Sequence, residues 1–201
     1  WGPRMSQQAT FRLVFAGLFL LLLGVVGTYR RKAQAGRRVD HSAEGPGLFI
    51  ALRLGGLFMW GYCFMYIVYP RPLDWSFLEV PSWLRWVAAA GVLVLIPFVV
   101  SSQKALGRNV SPTVITHEDH ELVTHGPYRW IRNPLYTAAG LLFTGLGLVA
   151  ASWFLIGAAA VAVALVRLRL PKEEAQLEAR FGQEYRDYVS RTGRFLPKWS
   201  R

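Results

Sequence analysis

Two polar segments carry most of the side chains with which this chain could do chemistry: HELVTHGPYRWIRNPLY at 120–136 and RLPKEEAQLEARFGQEYRDY at 169–188. The first follows a run holding His117, Glu118 and Asp119, so with His120, Glu121 and His125 it offers three imidazoles beside carboxylates. That composition raises a metal site. His117 and His120 are three residues apart, however, whereas the helical zinc motif needs a spacing of four, and the segment has no cysteine to complete a set. No metal is expected. Pro127 and Pro134 fix their own backbone and push Gly126 and Asn133 out of helical geometry, so the stretch between them should be a short, shaped element. Pro134 suits the first turn of a following helix. The plain alternative is a turn entering a membrane helix, with Tyr128, Trp130 and Tyr136 as interfacial aromatics.

In the second segment Pro171 is expected to open a new helix, with Glu173 and Glu174 in its first turn, where carboxylates complement the helix dipole. Leu177, Phe181, Tyr185 and Tyr188 recur at helical spacing and predict an amphipathic helix on the membrane surface, running through Gly182. Arg169 and Glu173 are four residues apart and share a helix face. An adjacent cation and anion at a lipid interface can hold an anionic lipid head and a cationic cofactor. Snorkelling of Arg169 and dipole complementarity of Glu173 are the plain readings of the same two residues.

The elements that must position these segments are apolar. Of the 201 residues, 53% are hydrophobic and 17% charged, a surplus of apolar side chains that a soluble chain of this length could not hide. Blocks at 11–29, 47–69 and 83–100 each approach the roughly 20 residues that cross a bilayer core. A fourth block, 135–170, is too long for one span and has the small-residue turn AASW at 150–153, so it predicts a tight helical hairpin. The expected architecture is a single domain over 1–201: an all-α polytopic bundle of about five transmembrane helices with a C-terminal cytoplasmic amphipathic helix.

Of the 23 Lys and Arg residues, 18 fall in 30–47, in 101–134 and from Arg167 onward, segments that five spans place on one side. The positive-inside rule makes that side, with the C-terminus, cytoplasmic. The net charge of +11 therefore reflects topology, and no nucleic-acid partner is expected. Cys63 has no intrachain partner and reads as a small apolar filler. Arg53, inside the second block, reads as snorkelling or a buried pairing. Gly140, Gly145, Gly147 and the GAAA at 157–160 fit close helix packing. The WGPR before Met5 reads as an appended remnant, and the apolar run from Phe11 as a retained helix, because RRK follows it where a cleavage site would stand.

From about 106 to 197 the ordered set LGRNVSPT, HELVTHGPYRWIRNPLY, EEAQL, FGQEYRDY and RFLP resembles the isoprenylcysteine carboxyl methyltransferase family and its phospholipid methyltransferase relatives. The resemblance implies an integral membrane methyltransferase that uses S-adenosylmethionine, with a cofactor pocket at the cytoplasmic face and a tunnel toward the lipid core from which a lipophilic acceptor enters. Carried over by position, His120, Glu121, Leu122 and Val123 match the segment lining the cofactor pocket, and Tyr128 matches the GPY tyrosine. Asn133, Pro134, Leu135 and Tyr136 match the Arg-His-Pro-x-Tyr cofactor motif. Glu173 matches a carboxylate contacting the cofactor, and Arg169 the arginine that orients the substrate; these two are the expected catalytic residues. Asn133 replaces the usual histidine, and Ala138 stands where glycine is common. Carboxylate O-methylation is the favoured reaction. A phospholipid amine or small thiol as acceptor, a sterol-reductase-like enzyme binding NADPH, and a non-catalytic membrane protein are the alternatives. For an amine or phenol acceptor, Glu173, Glu174 or His125 would be the candidate bases.

Overall fold

The computed structural model describes residues 2–34, 46–107 and 122–198. Among them the chain forms six α-helices, two short 3₁₀ helices and two isolated β-bridges, with no extended strand. The helices are α1 (Gly2–Gln34), α2 (Pro46–Val68), α3 (Ser82–Leu106), α4 (Pro134–Ala150), α5 (Trp153–Phe181) and α6 (Gln183–Arg191). Stretches of α1, α3 and α5, namely Gln7–Tyr29, Ser82–Leu106 and Trp153–Phe181, are long and apolar enough to cross a membrane; α4 is apolar with 17 residues. Phe58, Phe64, Val94, Val161 and Leu168 point outward from the bundle, a surface that only lipid can cover at low cost.

At the centre lies α4, which packs on α1, α3 and α5. The core joins Phe11, Phe15 and Phe19 of α1, Tyr62 and Tyr66 of α2, Val92 and Val99 of α3, and Leu142, Leu146 and Val149 of α4. Small residues set the helix spacing, as expected. A Cβ on Gly145 would stand 2.7 Å from Val92 Cγ2, and one on Gly140 would stand 2.9 Å from Val163 Cγ2. Gly157 does not share this use: a Cβ there meets nothing within 4 Å, and Ala159 is the buried member of the GAAA run.

The 135–170 block is divided where AASW predicts. Ala151 takes a left-handed conformation, φ 53°, which ends α4, and the Ser152 hydroxyl accepts from Leu155 N–H to cap α5. This turn is tied to the α2–α3 connection by Leu78 N–H to Ala151 O at 2.7 Å. The buried Tyr62 hydroxyl also bonds both Ser76 Oγ, at 2.5 Å, and Ser152 Oγ, at 2.7 Å. Arg85, in the first turn of α3, is buried with no carboxylate partner among the described residues. Its Nε and Nη2 donate to Val149 O at 2.9 and 2.7 Å, and its guanidinium lies 3.8 Å from the Phe11 ring centroid. A helix-terminal carbonyl and a π face thus take the place of water around that charge.

Two expectations for the C-terminal third need correction. Pro171 does not start a helix; it lies inside α5, which runs without a break from the hairpin to Phe181. The missing N–H at Pro171 frees one carbonyl, but buried Leu170 before it and paired Glu173 and Glu174 after it hold the helix on course. The predicted amphipathic helix is instead interrupted at Gly182. There φ of 53° places the backbone in a region open to glycine, so Tyr185 and Tyr188 belong to a separate short helix, α6. After α6 the chain turns back across the entrance to α4. Gly193 N–H donates to Trp130 O, Arg132 N–H to Gly193 O and Asn133 N–H to Arg194 O, a parallel bridge of 2.8–3.2 Å bonds.

Gly193 is tightly enclosed in this crossing: a Cβ would lie 1.7 Å from Leu196 O. Gly193→Ala should therefore lift the tail and destabilise the protein by about 1–3 kcal/mol, the range for overpacking. Arg194→Gln, which removes a half-exposed ion-pair partner, should cost at most about 1 kcal/mol. Thermal unfolding in detergent reads both, and equal stability of Gly193→Ala and the wild type would contradict the crossing.

Candidate active site

The site grows from the entrance to α4. Gly126 has φ of 61°, and a Cβ on it would meet Ala105 Cβ at 3.1 Å, so glycine serves both the turn and the contact with the end of α3. The 3₁₀ helix Gly126–Arg129 that follows is the short element expected between the prolines. It buries Pro127 and Tyr128, and Tyr188 of α6 donates from Oη to Tyr128 O at 2.7 Å. Asn133 leaves helical geometry, φ −124° and ψ 57°, and Pro134, fully buried, opens α4.

Adjacent carboxylates on α5 meet this entrance from across the bundle. Glu173 accepts from Tyr136 Oη at 3.1 Å and pairs with Arg169 Nε at 2.7 Å, the i,i+4 pair that the sequence spacing predicts. Glu174 takes Arg132 Nε at 3.3 Å and both Nε and Nη2 of Arg194. Arg132 reaches further, donating from Nη1 to Thr192 O at 2.6 Å and to Val189 O at 3.3 Å. The two glutamates therefore owe their places to tertiary partners in mid-helix, which replaces the first-turn dipole explanation. Charge-assisted bonds of this kind are roughly twice as strong as neutral ones, and here they are only partly exposed to solvent.

Of the expected cofactor residues, Tyr128, Pro134, Leu135, Tyr136 and Glu173 lie together at this junction, with Leu122 and Val123 half-buried on the approach. His120 and Glu121 lie outside the described residues, as do His117, Glu118 and Asp119. Asn133, which stands where the resembling family has histidine, directs its Nδ2 to Arg194 O at 3.2 Å and so helps hold the tail. Thr137 Oγ1 donates to Phe195 O at 3.0 Å and extends the same seam. Sequence reasoning missed Arg132, Arg194, Thr137 and Gln176 as parts of the site. The RNP triplet was the available signal for Arg132 and the RFLP motif for Arg194, but neither points to Glu174, which lies 20 residues from Arg194.

Burial above all, then the neighbouring Tyr188 and Tyr136 hydroxyls, pushes the Tyr128 hydroxyl well above the usual phenol range. Burial likewise pushes Tyr188 up, and with help from Glu174 pushes Tyr185 up to about 12. These phenols stay protonated near neutrality and can donate or accept hydrogen bonds, but cannot serve as general bases. Glu174 is engaged by two guanidinium groups and is poorly placed for that role as well.

For a cationic, donor-rich cofactor the residues present fit. Gln176, three residues beyond Glu173 and on the same helix face, holds a buried Oε1 that has no donor among the described residues, and Glu173 supplies a carboxylate beside it. An ammonium or a hydroxyl from a ligand would satisfy both.

The chain is similar to several known proteins. Over 116 residues the chain is 33% identical to the nickel-cobalt-cadmium resistance protein NccN of Alcaligenes xylosoxydans xylosoxydans, a match covering 57% of this chain and 54% of that one. It is 32% identical over 120 residues to protein-S-isoprenylcysteine O-methyltransferase A of Arabidopsis thaliana, covering 56% and 60% of the two chains. With the Tribolium castaneum protein-S-isoprenylcysteine O-methyltransferase the identity is 31% over 120 residues, covering 57% and 43%. These matches span about half the length of the curated relatives. The fold is similar to that of a eukaryotic intramembrane Ras methyltransferase, isoprenylcysteine carboxyl methyltransferase, with a TM-score of 0.60 at 20% identity, over 92% of this chain and 66% of that one. The phospholipid methyltransferase family description matches residues 83–184, half of the chain, taking in α4, α5 and all of α3 but its first residue, and the chain belongs to that family.

Proposed function

We propose that this chain is an S-adenosylmethionine-dependent integral membrane methyltransferase of the isoprenylcysteine carboxyl type, which methylates a lipophilic carboxylate at the cytoplasmic membrane face. The observation that carries the reading is the Tyr136–Glu173–Arg169 chain of contacts, which joins the entrance of α4 to α5 beside the buried Gln176 oxygen. Family membership and the named relatives support methyl transfer, and the charge distribution of the loops supports the cytoplasmic face. In this reading α2 and α4 complete a five-span bundle, and α6 with the tail covers the site from the aqueous side.

Glu173, Gln176 and Tyr136 would hold the cofactor, with Leu122, Val123 and Tyr128 walling its approach; the family resemblance assigns His120 and Glu121 to cofactor binding as well. Asn133, Pro134 and Leu135 serve by fixing the backbone from which Tyr136 projects. The cofactor supplies a methyl group on a sulfonium. Transfer to a carboxylate oxygen forms one O–C bond and breaks one S–C bond, and no proton moves. A general base is therefore unnecessary, in keeping with the phenols being protonated and Glu174 being engaged. Arg169 orients the acceptor carboxylate, and the ion pair with Glu173 holds the guanidinium beside the cofactor site.

Titration with S-adenosylhomocysteine and with NADPH distinguishes this reading from a sterol-reductase-like one, because only the first should bind. Binding of neither would favour a non-catalytic membrane protein. Glu173→Ala should weaken S-adenosylhomocysteine binding by about 1–3 kcal/mol. Unchanged affinity in a folded variant would remove Glu173 from the cofactor site.

Arg169→Ala should lower kcat/KM for a prenylcysteine acceptor at least about tenfold, or ~1.4 kcal/mol, with little change in cofactor affinity. Arg169→Lys should restore only part of the loss, because a point charge lacks the planar fork. Full turnover by Arg169→Ala on prenylcysteine, phospholipid and small-thiol acceptors alike would end its assignment.

Cysteines introduced at the exposed positions Glu79 and Ser190 should label from opposite sides of the membrane, Ser190 from the cytoplasm. Labelling of both from one side would overturn the topology.

A further inference from the structure

A cavity lies at the end of the bundle away from the candidate active site. Its volume is about 430 Å³, and Arg12 of α1, Tyr66 of α2, and Pro70, Arg71, Asp74 and Phe77 of the α2–α3 connection line it. Gln7 bonds Ser82 at the start of α3, whereas the candidate active site abuts Ala105 at its end. The 25 residues of α3 separate the two sites by about 35 Å. In the five-span reading they lie at opposite faces of the membrane.

Three observations point to the ligand. Arg12, Arg71 and Asp74 make no ion pair among the described residues, so two cations and one anion face a common cleft without neutralising one another. The Tyr66 side chain is 1% exposed, and among the described residues its hydroxyl has no acceptor. The neighbouring Arg85, whose Nε and Nη2 are directed to Val149 O, can only donate to it. A buried phenol with no acceptor, beside two guanidinium groups, is a place for phosphate oxygens. Finally, Trp75, Trp83, Trp86 and Trp153 are exposed at this end of the helices, the pattern of a belt at headgroup depth. Pro70 and Phe77 add apolar wall to the cavity.

We infer that this cavity binds the headgroup of an aminophospholipid from the leaflet opposite the candidate active site. Arg12, Arg71 and the Tyr66 hydroxyl hold the phosphodiester, and Asp74 receives the primary ammonium. The volume suits a headgroup with its glycerol. The site is independent of the methyltransferase reading and does not present the lipid to Glu173 or Arg169.

Native mass spectrometry of the delipidated full chain, reloaded with dioleoyl phosphatidylethanolamine, phosphatidylglycerol or phosphatidylcholine, tests the inference. Phosphatidylethanolamine should be retained best, because only its head offers both a phosphate and a hydrogen-bonding ammonium. The double variant R12Q/R71Q should lose retention of phosphatidylethanolamine by about tenfold or more. Asp74→Asn, an exposed and conservative change, should abolish the preference over phosphatidylglycerol while keeping phosphatidylglycerol bound. Excess inorganic phosphate or glycerophosphoethanolamine should displace the lipid poorly. The inference is overturned if R12Q/R71Q retains lipid like the wild type, if Asp74→Asn leaves the preference unchanged, or if inorganic phosphate displaces the lipid fully, which would make this a site for a soluble anion.

Discussion

The adjacent carboxylates Glu173 and Glu174 hold this protein's polar end together by facing two different sets of partners. Glu173 joins Tyr136 of α4 to Arg169 of its own helix, and Glu174 joins Arg132 to Arg194 of the tail. Where α5 leaves the apolar core it would otherwise carry two anions into a partly buried junction, and such charges are tolerated only when paired. The pairing fixes the rotation of α5 against α4. It also explains why α5 continues through Pro171: a helix pinned one turn later by side chains on two other elements can lose one internal hydrogen bond without breaking.

The tail acts on the site through the backbone more than through charge. Its parallel bridge to Ile131, the Asn133 and Thr137 side-chain bonds and the carbonyls accepting from Arg132 restrain the residues immediately before and within the first turn of α4. Tyr136 then projects from a turn whose position is set twice, by Pro134 inside the helix and by the tail outside it. A side chain that orients a ligand needs that kind of support, because small misplacements lose most of the benefit of alignment. The hairpin end has a different construction. There Tyr62, Ser76 and Ser152 form a buried hydroxyl chain, and Arg85 is satisfied by a carbonyl and an aromatic face.

Asn133 shows how a departure from a family pattern acquires a structural reason. A histidine ring at this position would present different donors and a larger volume. The amide instead reaches Arg194 O, so in this chain the position contributes to closing the tail over the site.

By itself the sequence determined what is local or periodic: the apolar blocks, the hairpin turn at 150–153, the proline-fixed entrance to α4, and the i,i+4 relation of Arg169 to Glu173. Each depends on the backbone chemistry of a few neighbouring residues or on helix geometry, and both can be read from spacing. The ordered motifs also determined the family. Only the tertiary structure decided that Glu173 meets Tyr136 and Glu174 meets Arg132 and Arg194, that Gly182 and not Pro171 divides the C-terminal helices, and that Gln176 is left with a buried acceptor. Local propensity favours a helix start at a proline followed by two glutamates. Contacts between residues 20 to 60 positions apart supplied more stabilisation than that preference, and such contacts have no signature in the spacing of either partner.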